Sequence, residues 1–130
     1  EAKDTPGAGV YGEFGAYCWQ ELGTTDTQKA KDFYTTLFGW ATEYFPGTME
    51  YTIFKNGDRG VAGMYQITPD MGPIPPHWLT YFAVADTDAT VQKTTELGGS
   101  VIKSAEDIPG VGRFAILRDP AVLKPAPQEA

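Results

Sequence analysis

Two phrases sixty residues apart constrain this chain more than anything else in it. YCWQELGTTDT, Tyr17 to Thr27, returns as HWLTYFAVADT, His77 to Thr87, with Asp26 and Asp86 in matching places. Each phrase is a short aromatic-rich run followed by an oxygen-bearing residue at the head of a helical pattern. A chain that repeats a strand-to-helix unit is built from two related halves, and neither half can cover its own sheet alone.

The elements around each phrase follow the same order. After Asp26, the residues Ala30, Phe33, Tyr34, Leu37 and Phe38 recur at helical spacing, and Gly39 provides a left-handed stop. This apolar stripe predicts a helix face buried against a sheet. A strand is expected over 40–45, a turn at Pro46-Gly47, and two strands over 51–67 joined at Asn56-Gly57, a dipeptide suited to a tight hairpin. TPDMGPIPP, residues 68–76, carries four prolines and reads as the linker. The second half repeats with a strand over 77–85, a helix to about Leu97 ended by Gly98-Gly99, a strand over 100–104, a loop DIPGVG and a strand over 113–117. A fourth strand should follow Pro120, but Ala121-Val122-Leu123 before Lys124-Pro125 is a poor one. The expected fold is therefore one α+β domain spanning 1–130, with βαβββ modules at about 15–67 and 77–123 packed together around a cleft.

Composition excludes several classes of function. A formal charge of −7 without a local Lys/Arg cluster repels a phosphate backbone, so no nucleic-acid partner is expected. No apolar run reaches the roughly 20 residues of a membrane span. Cys18 is the only cysteine, so no internal disulfide forms; an inert thiol and a reducing cytoplasm are expected. The start, EAKDTPGAGVYGEFG, has no apolar signal segment and no Met, which suggests a trimmed or partial chain.

The phrases CWQELGTTDTQKAKDFYTTLFGW, YTIFKNGDRGVAGM and PPHWLTYFAVADTDATVQKTTELGG, with DIPGVGRFAILRDP, resemble the vicinal oxygen chelate superfamily. That superfamily includes glyoxalase I, bleomycin-resistance proteins and extradiol dioxygenases, and the likeness is strongest to its glyoxalase-like bacterial branch. It runs from about Gly15 to Pro120. It implies that the two modules form an open, incomplete barrel around a cleft for a small-molecule ligand and, often, a homodimer. In metal-using members two ligands come from each module, on its first and last strands. The corresponding first-strand positions here are Trp19 and Leu79, the last strand of module one offers Gly63, and none of these can ligate a metal. No metal and no cofactor are therefore expected.

Strand alternation selects the candidate site residues. Tyr17, Trp19 and Glu21 should share one face of the first strand, and His77, Leu79 and Tyr81 the matching face of its repeat, while Leu22, Phe82 and Val84 serve the helices. The first set, with Tyr65 across the cavity, makes the candidate ligand-binding residues Tyr17, Trp19, Glu21, His77, Tyr81 and Tyr65. Glu21 and His77 are the candidate catalytic groups. Glu21 could be a base, a seat for a cationic group, or simply the partner of a cation such as Arg113. His77, the only histidine, could equally be solvated. Two functions stay open: metal-independent binding of an aromatic metabolite or drug, and an enzyme, either a metal-dependent lyase or dioxygenase or an isomerase using Glu21.

Overall fold

Asp26 and Asp86 open the two helices in the same way. Each sits in extended backbone and accepts the amide N–H three residues on, Lys29 and Ala89, at 3.0 Å. The structure, a computed structural model, describes residues 12–45, 50–109 and 111–121. Its elements run β1 (Tyr17–Thr24), α1 (Thr27–Phe38), β2 (Ala41–Phe45), β3 (Tyr51–Asn56), β4 (Arg59–Gln66), β5 (His77–Phe82), α2 (Thr87–Glu96), β6 (Ser100–Ile108) and β7 (Gly112–Arg118). Among the described residues these form an α+β fold of two sheets with no closed barrel. No helix among them is long and apolar enough to cross a membrane.

The chain divides into two units after Ala83. In the first, five strands lie in the order β2-β3-β4-β1-β5. β1 is parallel to β4, because α1 and the β2-β3 strands intervene between them, and antiparallel to β5. One face of this sheet meets α1. Leu22, Phe54, Ala62 and Met64 are buried there, with Ala30, Tyr34 and Trp40 packed against them. Tyr34 is the hub: its ring meets Phe54, Trp40 and Trp78 edge-on or stacked, and its hydroxyl accepts the Trp78 indole N–H at 3.1 Å.

The expected helix stripe is only half used. Ala30 and Tyr34 meet the sheet, whereas Phe33, Leu37 and Phe38 remain 58%, 56% and 54% exposed. Phe33 and Phe38 lie against other rings instead: Phe33 is 5.0 Å from Tyr34, and Phe38 is 4.7 Å from Trp40. Phe82, expected under the helices, is also largely exposed. Asp107 and Ile108, read as loop, lie in β6 opposite Arg113 and Gly112.

In the second unit α2 covers a two-stranded β6-β7 hairpin. Arg113 is engaged there: Nε and Nη2 reach the two oxygens of Asp88 at 2.8 and 2.9 Å, and Nη1 lies 3.3 Å from Asp107. Its counter-ions are therefore those two acids. Gly39 and Gly57 hold positive φ as their helix stop and hairpin turn require. Pro46-Gly47 and the poor strand at Val122-Leu123 lie outside the described residues, and Ala121 stands in a turn.

Burial separates two otherwise similar aromatic residues. Phe54→Ala, which empties a fully buried ring site, is expected to lower unfolding stability by about 3–5 kcal/mol, and exposed Phe33→Ala by less than about 1 kcal/mol, in urea denaturation.

Candidate functional site

The opposite face of the first sheet carries the polar and aromatic residues. Cross-strand partners share a face, and the register places Trp19 beside Tyr81, Glu21 between Leu79 and Gly63, Gly23 between His77 and Tyr65, and Tyr65 beside Tyr51. Four strands thus contribute to one surface, and β1 runs through its middle.

Glu21 is the centre of that surface. Tyr51 donates its hydroxyl proton to Oε2 at 2.8 Å, and Tyr81 donates to Oε1 at 3.0 Å. The Trp19 indole N–H donates to the Tyr51 oxygen at 2.9 Å. Indole has no acceptor, so this chain has a direction: Trp19 to Tyr51 to Glu21. Burial first, and the neighbouring Glu21 charge second, push the Tyr51 and Tyr81 phenols far above their ordinary range and Tyr65 up as well. These tyrosines are held as neutral phenols, the form that can donate to a carboxylate. Tyr81 is also the repeat-equivalent of Glu21, sixty residues on.

Two glycines make room for the rings. A Cβ on Gly63 would overlap the Tyr51 hydroxyl, and one on Gly23 would lie 2.7 Å from the Tyr65 hydroxyl and 3.2 Å from His77 Cε1. Any side chain at Gly63 would thus drive the Tyr51 ring away from Glu21. Ring and glycine face each other across adjacent strands, so the phenols lie over the sheet instead of standing up from it.

The structure brings together Trp19, Glu21, Tyr65, His77 and Tyr81, on this one face. Tyr17 is different. A bulge at Cys18 shifts the register so that Tyr17 pairs with Phe82, while Trp19 pairs with Tyr81. One extra residue reverses the alternation, which takes Tyr17 out of the Trp19 row. His77 Nδ1 lies 2.8 Å from the Pro75 carbonyl, held by the proline segment before it. Cys18 is half-buried, and burial pushes its thiol up, away from the reactive thiolate. Sequence reasoning missed Tyr51. Its only signal is its place two residues before Ile53 on an alternating strand, and nothing local says that this strand lies two places from β1.

A βαβββ unit whose first strand accepts a repeat-equivalent strand, with an aromatic face set on it, defines a class. The chain belongs to the Glyoxalase/Bleomycin resistance protein/Dioxygenase superfamily, whose family model matches residues 18–121. Among its relatives is a Mycobacterium tuberculosis protein named "Putative glyoxylase CFP32", 42% identical over 130 residues, covering 95% of this chain and 49% of that protein. Another is the "Anthracycline biosynthesis protein DnrV" of Streptomyces peucetius, 38% identical over 121 residues, covering 82% of this chain and 44% of that protein. The chain spans about half the length of the curated relatives it matches.

The family's metal chemistry can be tested against the donors present. Trp19 offers only an N–H, already given to Tyr51; Leu79 has no lone pair; Gly63 has no side chain, and Tyr51 covers it. Both oxygens of Glu21 already accept phenol protons. Among the described residues no three His, Cys, Asp or Glu side chains come together as a ligand set. These residues do not fit a metal ion, and no chemical step is derived through one.

Two outcomes check this geometry. In an ultraviolet titration, two of the seven tyrosines should resist ionisation well above the ordinary value of about 10. Because their folded-state values are raised, their contribution to stability is complete below that ordinary value and is lost as pH climbs through and beyond it. Gly63→Ala should cost about 1–3 kcal/mol by overpacking and return one of those tyrosines, Tyr51, toward ordinary titration.

Proposed function

We propose that this protein binds a small organic ligand, without a metal, on the aromatic face of its first sheet. The observation that carries the reading is the Glu21 carboxylate, fixed by Tyr51 and Tyr81 and set among the rings of Trp19, Tyr51 and Tyr81. Rings locked by hydrogen bonds at one end offer flat apolar area at little entropic cost, which suits a flat ring system. The printed name of one relative ties that protein to anthracyclines, which are fused-ring aromatics, and supports the same ligand shape.

The enzyme reading has one observation in its favour, the word "glyoxylase" in the other relative's name. On that reading Glu21 is the base of an isomerase. One phenol proton already sits on each of its two oxygens, however, which leaves fewer lone pairs to meet a substrate proton. The binding reading extends to one glyoxalase-like domain, its modules at about 15–67 and 77–123, working as a cytoplasmic homodimer; sedimentation checks the last point.

Screening fused-ring compounds by NMR should move the Trp19 indole N–H and the Tyr51 and Tyr81 ring signals. Trp19→Ala should weaken binding about tenfold, near 1.4 kcal/mol. Shifts confined to the α1 side of the sheet would defeat the reading. Turnover of the bound compound that is lost in Glu21→Gln would favour the enzyme.

A further inference from the structure

If the aromatic face binds a small ligand, as proposed above, its polar atoms decide the charge that ligand carries. The Trp19 N–H is directed to Tyr51, and the protons of Tyr51 and Tyr81 go to the two oxygens of Glu21. A carbonyl can only accept, so His77 Nδ1 gives its proton to Pro75. Lys55 on β3 lies 3.4 Å from Glu43, which pairs with Ile53, so that cation already has its counter-charge. Tyr65 holds the one O–H of this cluster with no assigned acceptor among the described residues, and it is a neutral donor.

What faces a ligand is therefore rich in acceptors. A carboxylate has about four lone-pair sites, of which the two phenols occupy two. The remaining sites call for donors on the ligand. The faces of Trp19 and the tyrosines carry the negative side of their quadrupoles and attract cations in the same direction. A carboxylate or phosphate brought here would meet Glu21 with no free Lys or Arg among these residues to offset it.

We infer that this face selects flat aromatic ligands bearing a protonated nitrogen and rejects ring-matched carboxylates. The preference comes from Glu21 and its phenol frame and not from the net charge of −7. Phenol protons taken by Glu21 cannot turn to an anion, so the frame that holds the carboxylate also removes the donors an anion would need.

Calorimetric titration with charge-reversed pairs tests this: naphthylmethylamine against naphthoate, and aminoacridine against anthracene carboxylate, at neutral pH and near-physiological salt. The cation of at least one pair should bind about tenfold tighter or more. Glu21→Gln, which keeps an acceptor oxygen, should bring that ratio close to one. Asp32→Asn on α1, which removes the same charge away from the face, should leave it unchanged. Tyr65→Phe, which deletes the spare donor, should widen it and serves if Glu21→Gln fails to fold. Equal or tighter anion binding, or an equal effect of Asp32→Asn, overturns the charge preference while the binding reading survives. Binding of neither member of any pair overturns both.

Discussion

The structure depends on β1 being paired along both edges, parallel to β4 and antiparallel to β5. With both edges satisfied, each successive side chain of β1 is committed to one face or the other. Leu22 enters the buried core with Phe54 and Met64, and its neighbour Glu21 is committed to the aromatic side. Core and candidate site are thus two faces of a single register. The bulge at Cys18 marks where that commitment ends, and Tyr17 beyond it follows a different row.

The site is organised around a donor chain that ends in a carboxylate. Trp19 can only donate, so Tyr51 must pass its own proton onward, and Glu21 receives it. Tyr81 completes the frame from the other side. The arrangement needs empty space as much as it needs hydroxyls: Gly63 under Tyr51 and Gly23 under Tyr65 and His77 are positions where any Cβ would collide. Residues that look featureless in the chain are the floor of the site. The same positions explain why the residues present are a poor match to the metal chemistry of the superfamily, since an indole, an alkyl chain and a glycine stand where donors would be needed.

Much of this was legible before the fold was known. The sixty-residue repeat announced two βαβββ-like halves, the aspartate caps fell where expected, and period-two alternation grouped Trp19 and Glu21 with Leu79 and Tyr81. The helix stripe over-promised, because periodicity records which residues share a face and not how much sheet lies beneath it; Phe33 and Leu37 remain exposed. Tyr17 stands outside the Trp19 row because a bulge, which leaves no reliable mark in a short aromatic run, falls between them. Tyr51 was missed because its importance arises only when β3 lies beside β4 and β4 beside β1.

The sequence by itself determined the local units: where helices begin and end, which residues alternate, and that one half repeats the other. These follow from interactions between residues a few positions apart, which the chain carries wherever it goes. Tertiary structure alone decided that Tyr51 and Tyr81, thirty and sixty residues from Glu21, would give their protons to the same carboxylate. Strand order and register are set by burying one face of the whole sheet at once, and that sum is not written in any single segment.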